Sequence, residues 1–210
     1  MHPNRSAIRV DAAGGGGACN RSNARAFRFR SLSIVAAMVV ASGVVGAPQP
    51  ANAFSDTSPA DLQAIARSLG FLDSLPREGT ITVGIVYAPG EEAIAARTAE
   101  MLNALQGPNS TTFKTQAIAV ATLAQLQDHL DLLLIADGAC TDPAVAKAII
   151  DVVRRRRVVS ISSDPACLET KCCVLMVHSN GKVDIVLDTA LADAAGAHFS
   201  PVFAMMVKRK

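Results

Sequence analysis

The sequence predicts a single three-layer α/β domain, stapled by disulfides, in which a mostly parallel sheet of about four strands is completed by a C-terminal antiparallel hairpin. Four short β-rich runs between residues 80 and 163 alternate with amphipathic runs, and this order indicates a parallel sheet with helices on both faces. Asn180-Gly181 then separates two further β-rich runs, and this dipeptide favours the two-residue turn of a hairpin.

The elements follow from capping residues and from the spacing of apolar residues. Ser58 and Pro59 suit the N-cap and first position of a helix whose apolar face begins at Leu62, and Asp142 with Pro143 begins a later helix in the same way. The predicted helices cover residues 60–73, 89–105, 122–130 and 142–157, with a short helix after residue 189 and a terminal helix from Ser200. The predicted strands cover residues 80–87, 113–120, 131–136 and 158–163, and the hairpin runs cover 172–179 and 182–188.

Residues 1–53 have the composition and order of an export signal peptide. Six arginines and one acid precede an uncharged apolar run, residues 32–45, which is shorter than the roughly 20 residues that cross a membrane. Ala51-Asn52-Ala53 matches the small-residue pattern of a cleavage site. We therefore expect cleavage after Ala53, a periplasmic location, no transmembrane helix after processing, and one domain over residues 54–210. An uncleaved membrane anchor is the alternative.

The charge and the aromatic content of the predicted mature chain exclude nucleic-acid binding. Of the 20 Lys and Arg residues six lie in the first 53 positions, as does one of the 18 Asp and Glu residues, so the remaining chain has a formal charge of −3. It contains no Trp and one Tyr, Tyr87. Such a chain lacks the basic stripe and the stacking aromatic side chains of a nucleic-acid binder.

Four cysteines in the predicted mature chain indicate disulfides, because an even number of cysteines in an oxidising compartment is typical of covalent bridges. We expect the fifth strand to run antiparallel beside the fourth, which would gather all four at one end of the sheet. Cys167 is predicted to pair with Cys172 or Cys173, and the remaining cysteine with Cys140. Two alternatives have weaker support: a zinc site, which lacks paired C-x₂₋₄-C spacing, and a redox-sensing disulfide.

A ligand would be expected at the carboxyl edge of the parallel strands, where open α/β sheets bind small molecules. The loops predicted there carry glycine and acidic residues, which could seat an anion at a helix N-terminus or receive a cation: Gly90, Glu91, Asp137, Asp142 and Asp164. Simple capping of helices and turns is the better-supported interpretation of these acids. No sequence motif of a hydrolase, metalloprotease or nucleotide-binding loop is present, so the sequence predicts neither an enzyme nor a cofactor nor a metal site.

Three segments of the predicted domain share a pattern with a known family. Residues 62–76, LQAIARSLGFLDSLP, form a helix that runs into a proline, and residues 81–89, ITVGIVYAP, form a strand with its turn. Residues 158–208 combine a strand, an SD loop, a hairpin and a helix. This pattern resembles the YfiR family of exported bacterial proteins, although the opening helix has only Phe71 where the family is rich in aromatic residues, and the cysteine layout is this chain's own.

The resemblance implies a periplasmic regulator without catalysis. Such proteins bind the periplasmic part of an inner-membrane diguanylate cyclase and restrain it, which lowers cyclic-di-GMP. Disulfides in the family serve stability and tune that restraint, a role that Cys167 and its partner at Cys172 or Cys173 would inherit.

Two other functions fit parts of the sequence. The strand-rich segments also suit one lobe of a periplasmic solute-binding protein, although such proteins use two lobes; a thiol oxidoreductase fits the cysteines alone. Finally, the terminal helix carries Val202, Phe203 and Met206, which would form either a homodimer face or, the better-supported interpretation, part of the core.

Overall fold

The computed structural model describes residues 57–210. The predicted signal peptide and its cleavage site after Ala53 lie outside these residues, so both stay predictions.

The described residues contain one seven-stranded mixed sheet, which confirms the predicted fold class. Its order is β2-β1-β3-β4-β5-β6-β7, and the first five strands in that order are parallel, while β5 and β6 form an antiparallel hairpin. The strands are β1 (Thr80–Tyr87), β2 (Thr112–Ala119), β3 (Leu132–Ile135), β4 (Val159–Ser162), β5 (Leu175–Asn180), β6 (Lys182–Leu187) and β7 (Lys208–Arg209). All residues of β3 and β4 are buried, as expected for central parallel strands covered on both faces.

Helices cover the sheet in two groups. The α-helices are α1 (Pro59–Ser68), α2 (Glu92–Asn103), α3 (Pro143–Arg156), α4 (Ala166–Glu169), α5 (Thr189–Ala195) and α6 (Pro201–Met206). Short 3₁₀ segments cover Leu69–Phe71, Pro108–Ser110 and Val120–Gln125. Helix α1 packs against α2 and β5, and α2 packs against β1 and β2, whereas α3 packs against α5 and the 3₁₀ segment Val120–Gln125.

The predicted orientation of the fifth strand is wrong: β5 runs parallel to β4. The two strands share only two register pairs, Ile161 with Leu175 and Ser162 with Met176, so the chain must step back only a short distance between them. The single-turn helix α4 makes that return, and the Val174 N–H then bonds to the Ser160 carbonyl at 2.9 Å. A short connection is enough because only the last residues of β4 pair with the first residues of β5.

Three predicted helices also differ in length or type. The first ends at Ser68 and continues as the 3₁₀ turn Leu69–Phe71, instead of reaching residue 73. In place of the helix predicted over 122–130, the structure has the 3₁₀ segment Val120–Gln125, which starts directly at the end of β2 and buries only Leu123. The terminal helix ends at Met206, and Lys208 and Arg209 instead pair with β6 as β7.

Gly84, in the middle of β1, lies where neighbouring side chains approach the sheet backbone too closely for a Cβ atom. An ideal Cβ at this position would lie 2.6 Å from Ile118 Cδ1 and 2.7 Å from Leu130 Cδ1. We expect Gly84→Ala to lower the free energy of unfolding by about 1–3 kcal/mol, because the two side chains must leave their rotamers. Urea denaturation measures the loss. The control is Gly70→Ala, whose Cβ would lie 3.5 Å from Pro108 Cβ, an ordinary contact; equal stability of both variants would contradict the prediction.

Candidate functional site

Three features of the described residues have the chemistry of a functional site: a polar cluster at the carboxyl edge of the sheet, a buried group of four cysteines, and an apolar groove. The strand order 2-1-3-4-5 reverses direction between β1 and β3, and ligands in doubly wound sheets bind outside the carboxyl ends at such a point.

The polar cluster brings together two of the predicted edge residues. Asp137 follows β3 and Asp164 follows β4, and the Asp164 carboxylate accepts a hydrogen bond of 3.0 Å from the Gly138 N–H. Asp137 is buried and accepts hydrogen bonds from Ser163 Oγ at 2.8 Å and from Thr57 Oγ1 at 3.3 Å. Residue 57, the first that the structure describes, thus lies against the carboxyl edge of the sheet.

The other three predicted edge residues serve local structure. Asp142 is the N-cap of α3 and accepts a hydrogen bond of 2.8 Å from the Ala144 N–H, as the capping interpretation predicted. Gly90 has a φ of +90°, so it supplies the left-handed turn between β1 and α2. Glu91 closes the same turn, with its N–H bonded to the Ala88 carbonyl at 3.1 Å.

Burial raises the pKa of Asp137 from 3.8 to about 6, and the negative charge of Asp164 adds to the rise, while the hydrogen bonds from Ser163 and Thr57 oppose it. Since the folded chain holds this proton more tightly than the unfolded chain, protonation stabilises the fold. The contribution is therefore present in full below pH 3.8 and is lost as the pH rises to about 6.

We expect Asp137→Asn to raise the free energy of unfolding at pH 7 by about 2 kcal/mol, because the amide oxygen still accepts both hydroxyl hydrogen bonds without a buried charge. Denaturation curves of both proteins at pH 4 and pH 7 measure the effect. The gain over the parent chain should shrink as the pH falls from 6 to 4. A variant whose stability follows that of the parent at every pH would show that this carboxyl titrates as it does in water.

The four cysteines among residues 57–210 are all buried, and two of them are bonded. Cys140, in the turn after β3, forms a disulfide with Cys172, and their Cα atoms lie 6.8 Å apart. This bond matches one of the two pairings predicted from the sequence and rules out Cys167 with Cys172. Cys167 and Cys173 are free thiols, so the second predicted bridge is not formed in the structure.

Backbone hydrogen bonds fix the cysteine positions around α4. The Cys172 N–H bonds to the Cys167 carbonyl at 3.0 Å, which closes the segment on itself, and Ser160 Oγ donates to the Cys172 carbonyl at 3.0 Å. The sulfur atoms of Cys140, Cys167 and Cys172 all lie within 4.8 Å of one another. A hydrogen bond to Cys167, together with burial, raises the pKa of the Cys173 thiol well above its ordinary value, so this thiol is protonated.

The apolar groove lies between α1, β6 and α6. It encloses about 370 Å³, and it is lined by apolar and charged side chains: Ala64, Arg67, Ser68, Phe71, Val183, Asp184, Ile185, Phe203, Met206, Val207 and Lys208. The Phe203 ring is buried and stacks on Phe71, with centroids 5.0 Å apart, and on Phe199, with centroids 5.3 Å apart.

Exposed apolar side chains concentrate at this groove. Among residues 57–210, the exposed large apolar side chains are Phe71, Val183, Val202, Met205 and Met206, and each either lines the groove or lies on α6 beside it. The sequence interpretation had placed Val202 and Met206 in the core, but they are 57% and 64% exposed; only Phe203 is a core residue. The sequence offered little indication of the groove, because its β6 residues have the same pattern as those of any hairpin strand.

The edge of the sheet beside the groove is open over half of β6. Strand β7 pairs only with Val186 and Leu187, so within residues 57–210 the outer edge of β6 has no strand partner from Lys182 to Ile185. At its rim, Lys208 Nζ lies 3.0 Å from the Asp184 carboxylate.

Comparison with known proteins identifies a similar fold and no family. No family model matches the chain, and no curated protein matches it. The crystal structure of an ABC domain in complex with L-Trp from Streptococcus pneumonia matches with a TM-score of 0.51 and 11% identity, over 72% of this chain and 60% of that chain.

A conserved domain protein from Vibrio cholerae matches with a TM-score of 0.48 and 14% identity, over the same shares of each chain. The chain thus spans 60% of the length of each of these structures. Within residues 57–210, no helix has both the length and the apolar character that a membrane crossing needs. At 11% identity, the likeness to the ABC domain is one of fold alone.

Proposed function

We propose that this chain is an exported, non-catalytic regulator that binds the periplasmic part of an inner-membrane signalling enzyme, a diguanylate cyclase, and restrains it. The observation that carries the proposal is the concentration of exposed apolar side chains at the groove between α1, β6 and α6. Contiguous exposed apolar surface on a small domain is typical of a protein-binding site.

The open edge of β6 beside the groove supports recognition of a protein segment. An extended peptide can bond to the outward-facing N–H and C=O groups of alternate residues within 182–185 and place alternate side chains in the groove. The nearby ring stack of Phe71 and Phe203 offers a rigid apolar surface for those side chains.

The identity of the partner rests on the resemblance to the YfiR family and on the predicted signal peptide. From that resemblance we infer that the chain lies in the periplasm, that its partner is an inner-membrane cyclase, and that binding restrains the cyclase. A chain that restrains the cyclase lowers cellular cyclic-di-GMP, so its loss should raise the level.

The test is cellular cyclic-di-GMP in the source strain, in a deletion strain, and in deletion strains complemented with variants. We expect deletion to raise the level, the parent gene to restore it, and Val183→Glu with Met206→Glu to fail to restore it, because charges in the groove oppose an apolar partner. The matched control is Ala121→Glu, an exposed alanine in the 3₁₀ segment Val120–Gln125, which should restore the level. An unchanged level on deletion would contradict the proposal.

A solute-binding function is the second candidate, favoured by the volume and lining of the same groove. About 370 Å³ lies within the range of small-molecule sites, and the groove combines aromatic rings with the charges of Arg67, Asp184 and Lys208. The ABC domain of similar fold was crystallised with L-Trp. Native mass spectrometry of the freshly purified chain, alone and with added L-Trp, tests this candidate. A bound small molecule that Val183→Glu abolishes would favour it over the regulator.

A further inference from the structure

We propose that the reduced chain binds one Cu(I) ion between the sulfur atoms of Cys140, Cys167 and Cys172. The proposal is independent of the function proposed above, since it uses none of the groove residues and needs no partner protein. It rests on three buried sulfur atoms, one from the turn after β3 and two from the segment around α4, that the fold holds within 4.8 Å of one another.

The spacing of the three sulfur atoms suits a planar three-coordinate metal ion. With a metal–sulfur distance of about 2.3 Å, three sulfur atoms around one ion lie roughly 4 Å apart. The three sulfur atoms lie within 4.8 Å of one another in the structure. Once the Cys140–Cys172 bond opens, the sulfur atoms of these two residues can separate to roughly 4 Å, and Cys167 can keep its place beside them.

Each ligand is held in place by the fold. Cys140 ends the turn after β3, in which the Ala139 N–H bonds to the Ala136 carbonyl at 3.2 Å. Cys167 lies in α4, and its N–H bonds to the Asp164 carbonyl at 3.1 Å. Cys172 is tied to β4 through Ser160 Oγ. Because the backbone positions are fixed by these bonds, the three sulfur atoms meet without rearrangement of the chain.

The number and type of ligands favour Cu(I). Thiolates are soft ligands that select Cu(I) and zinc, and structural zinc sites use four protein ligands. Within the described residues, the group within 4.8 Å contains three cysteines and no histidine or carboxylate. Cys173 forms a hydrogen bond with Cys167 but does not lie within 4.8 Å of all three of these sulfur atoms, and all three members are buried, so the site offers three mutually close sulfur ligands.

Metal binding and disulfide formation exclude each other chemically. A phosphine reductant supplies two electrons to the Cys140–Cys172 bond and becomes a phosphine oxide with the oxygen of one water molecule, and the two protons of that water complete the two thiols. Cu(I) then displaces protons from the cysteine thiols as the copper–sulfur bonds form. A chain that enters an oxidising compartment with its thiols still reduced could thus bind Cu(I) before the disulfide forms.

The experiment titrates Cu(I), held by the coloured chelator bathocuproine disulfonate, into the purified chain after anaerobic reduction and removal of the phosphine. We expect one Cu(I) per reduced chain. We expect Cys167→Ser to weaken binding at least 100-fold and Cys173→Ser to bind as the parent does. The oxidised chain, with Cys140–Cys172 intact, should leave the chelator complex unchanged.

The pair of serine variants also separates a folded site from simple thiol binding. In an unfolded chain Cys167 and Cys173 would be equivalent ligands, so equal losses in both variants would overturn the proposal. Failure of the reduced parent chain to take copper from the chelator would also overturn it. Circular dichroism of the reduced chain with one equivalent of Cu(I) should match that of the oxidised chain, and an unfolded spectrum would count against the site.

Discussion

Replacement of both Cys140 and Cys172 with alanine is expected to lower the free energy of unfolding by roughly 4 kcal/mol. The two cysteines are 32 positions apart, and the bond restricts the unfolded chain by closing a loop of that length. The bridge joins the turn after β3 to the segment after α4, so it also holds two non-adjacent connections together. Urea denaturation of the oxidised parent and of the double variant measures the loss.

The matched control removes the other two cysteines. Cys167→Ala with Cys173→Ala deletes two equally buried sulfur atoms but no covalent bond, and it should cost no more than about 2 kcal/mol from lost packing. Addition of a phosphine reductant should remove most of the difference between the parent and the Cys140/Cys172 variant. Equal losses in the two double variants would mean that Cys167 and Cys173 also form a bridge in solution.

Elements with a strong local signal could be predicted from the sequence. Strand β1 has the predicted bounds, Thr80–Tyr87, because its β-rich run is long and ends at a proline-containing turn. The hairpin turns at Gly181, whose φ of +71° a glycine accepts without strain. These features depend on neighbouring residues, which a single sequence displays directly.

The direction of β5 depends on a long-range choice and could not be predicted. The connection from β4 contains only the four-residue helix α4, which is too short to show helical periodicity. A connection of such length allows either direction, and the deciding contact, Val174 with Ser160, joins residues 14 positions apart. The order of the strands in the sheet also depends on contacts between residues far apart in the sequence, so it could not be predicted either.

The candidate sites likewise combine features that the sequence predicts with features that depend on long-range contacts. The sequence predicted that the cysteines gather, but the choice of Cys140 with Cys172 depends on how α4 turns Cys172 toward the turn after β3. The groove could not be predicted because Val183 in β6 and Met206 in α6 come to line the same groove where β7, directly after α6, pairs with β6. Apolar residues at a binding surface and in a core have the same sequence pattern.

We expect Asp61→Ala to lower the free energy of unfolding by about 3 kcal/mol. This buried carboxylate accepts hydrogen bonds from the N–H and the Oγ of Ser58, which cap α1, and from the Ser179 N–H in β5. Strand β4 ends at Ser162, opposite Met176, so it does not reach Ser179. The substitution leaves a partly buried backbone N–H without its acceptor and removes a capping interaction, and these losses add. Urea denaturation measures the total.

The control is Asp142→Ala, which removes an N-cap from α3 without a contact to the sheet and should cost about 1 kcal/mol. Equal losses in the two variants would show that the bond from Asp61 to Ser179 contributes nothing. Amide hydrogen exchange adds an independent measure, since Ser179 should exchange much faster in Asp61→Ala than in Asp142→Ala. Because α1 also lines the groove through Ala64 and Arg67, a loosened α1 should weaken binding there as well, and that loss would connect the stability of this contact to function.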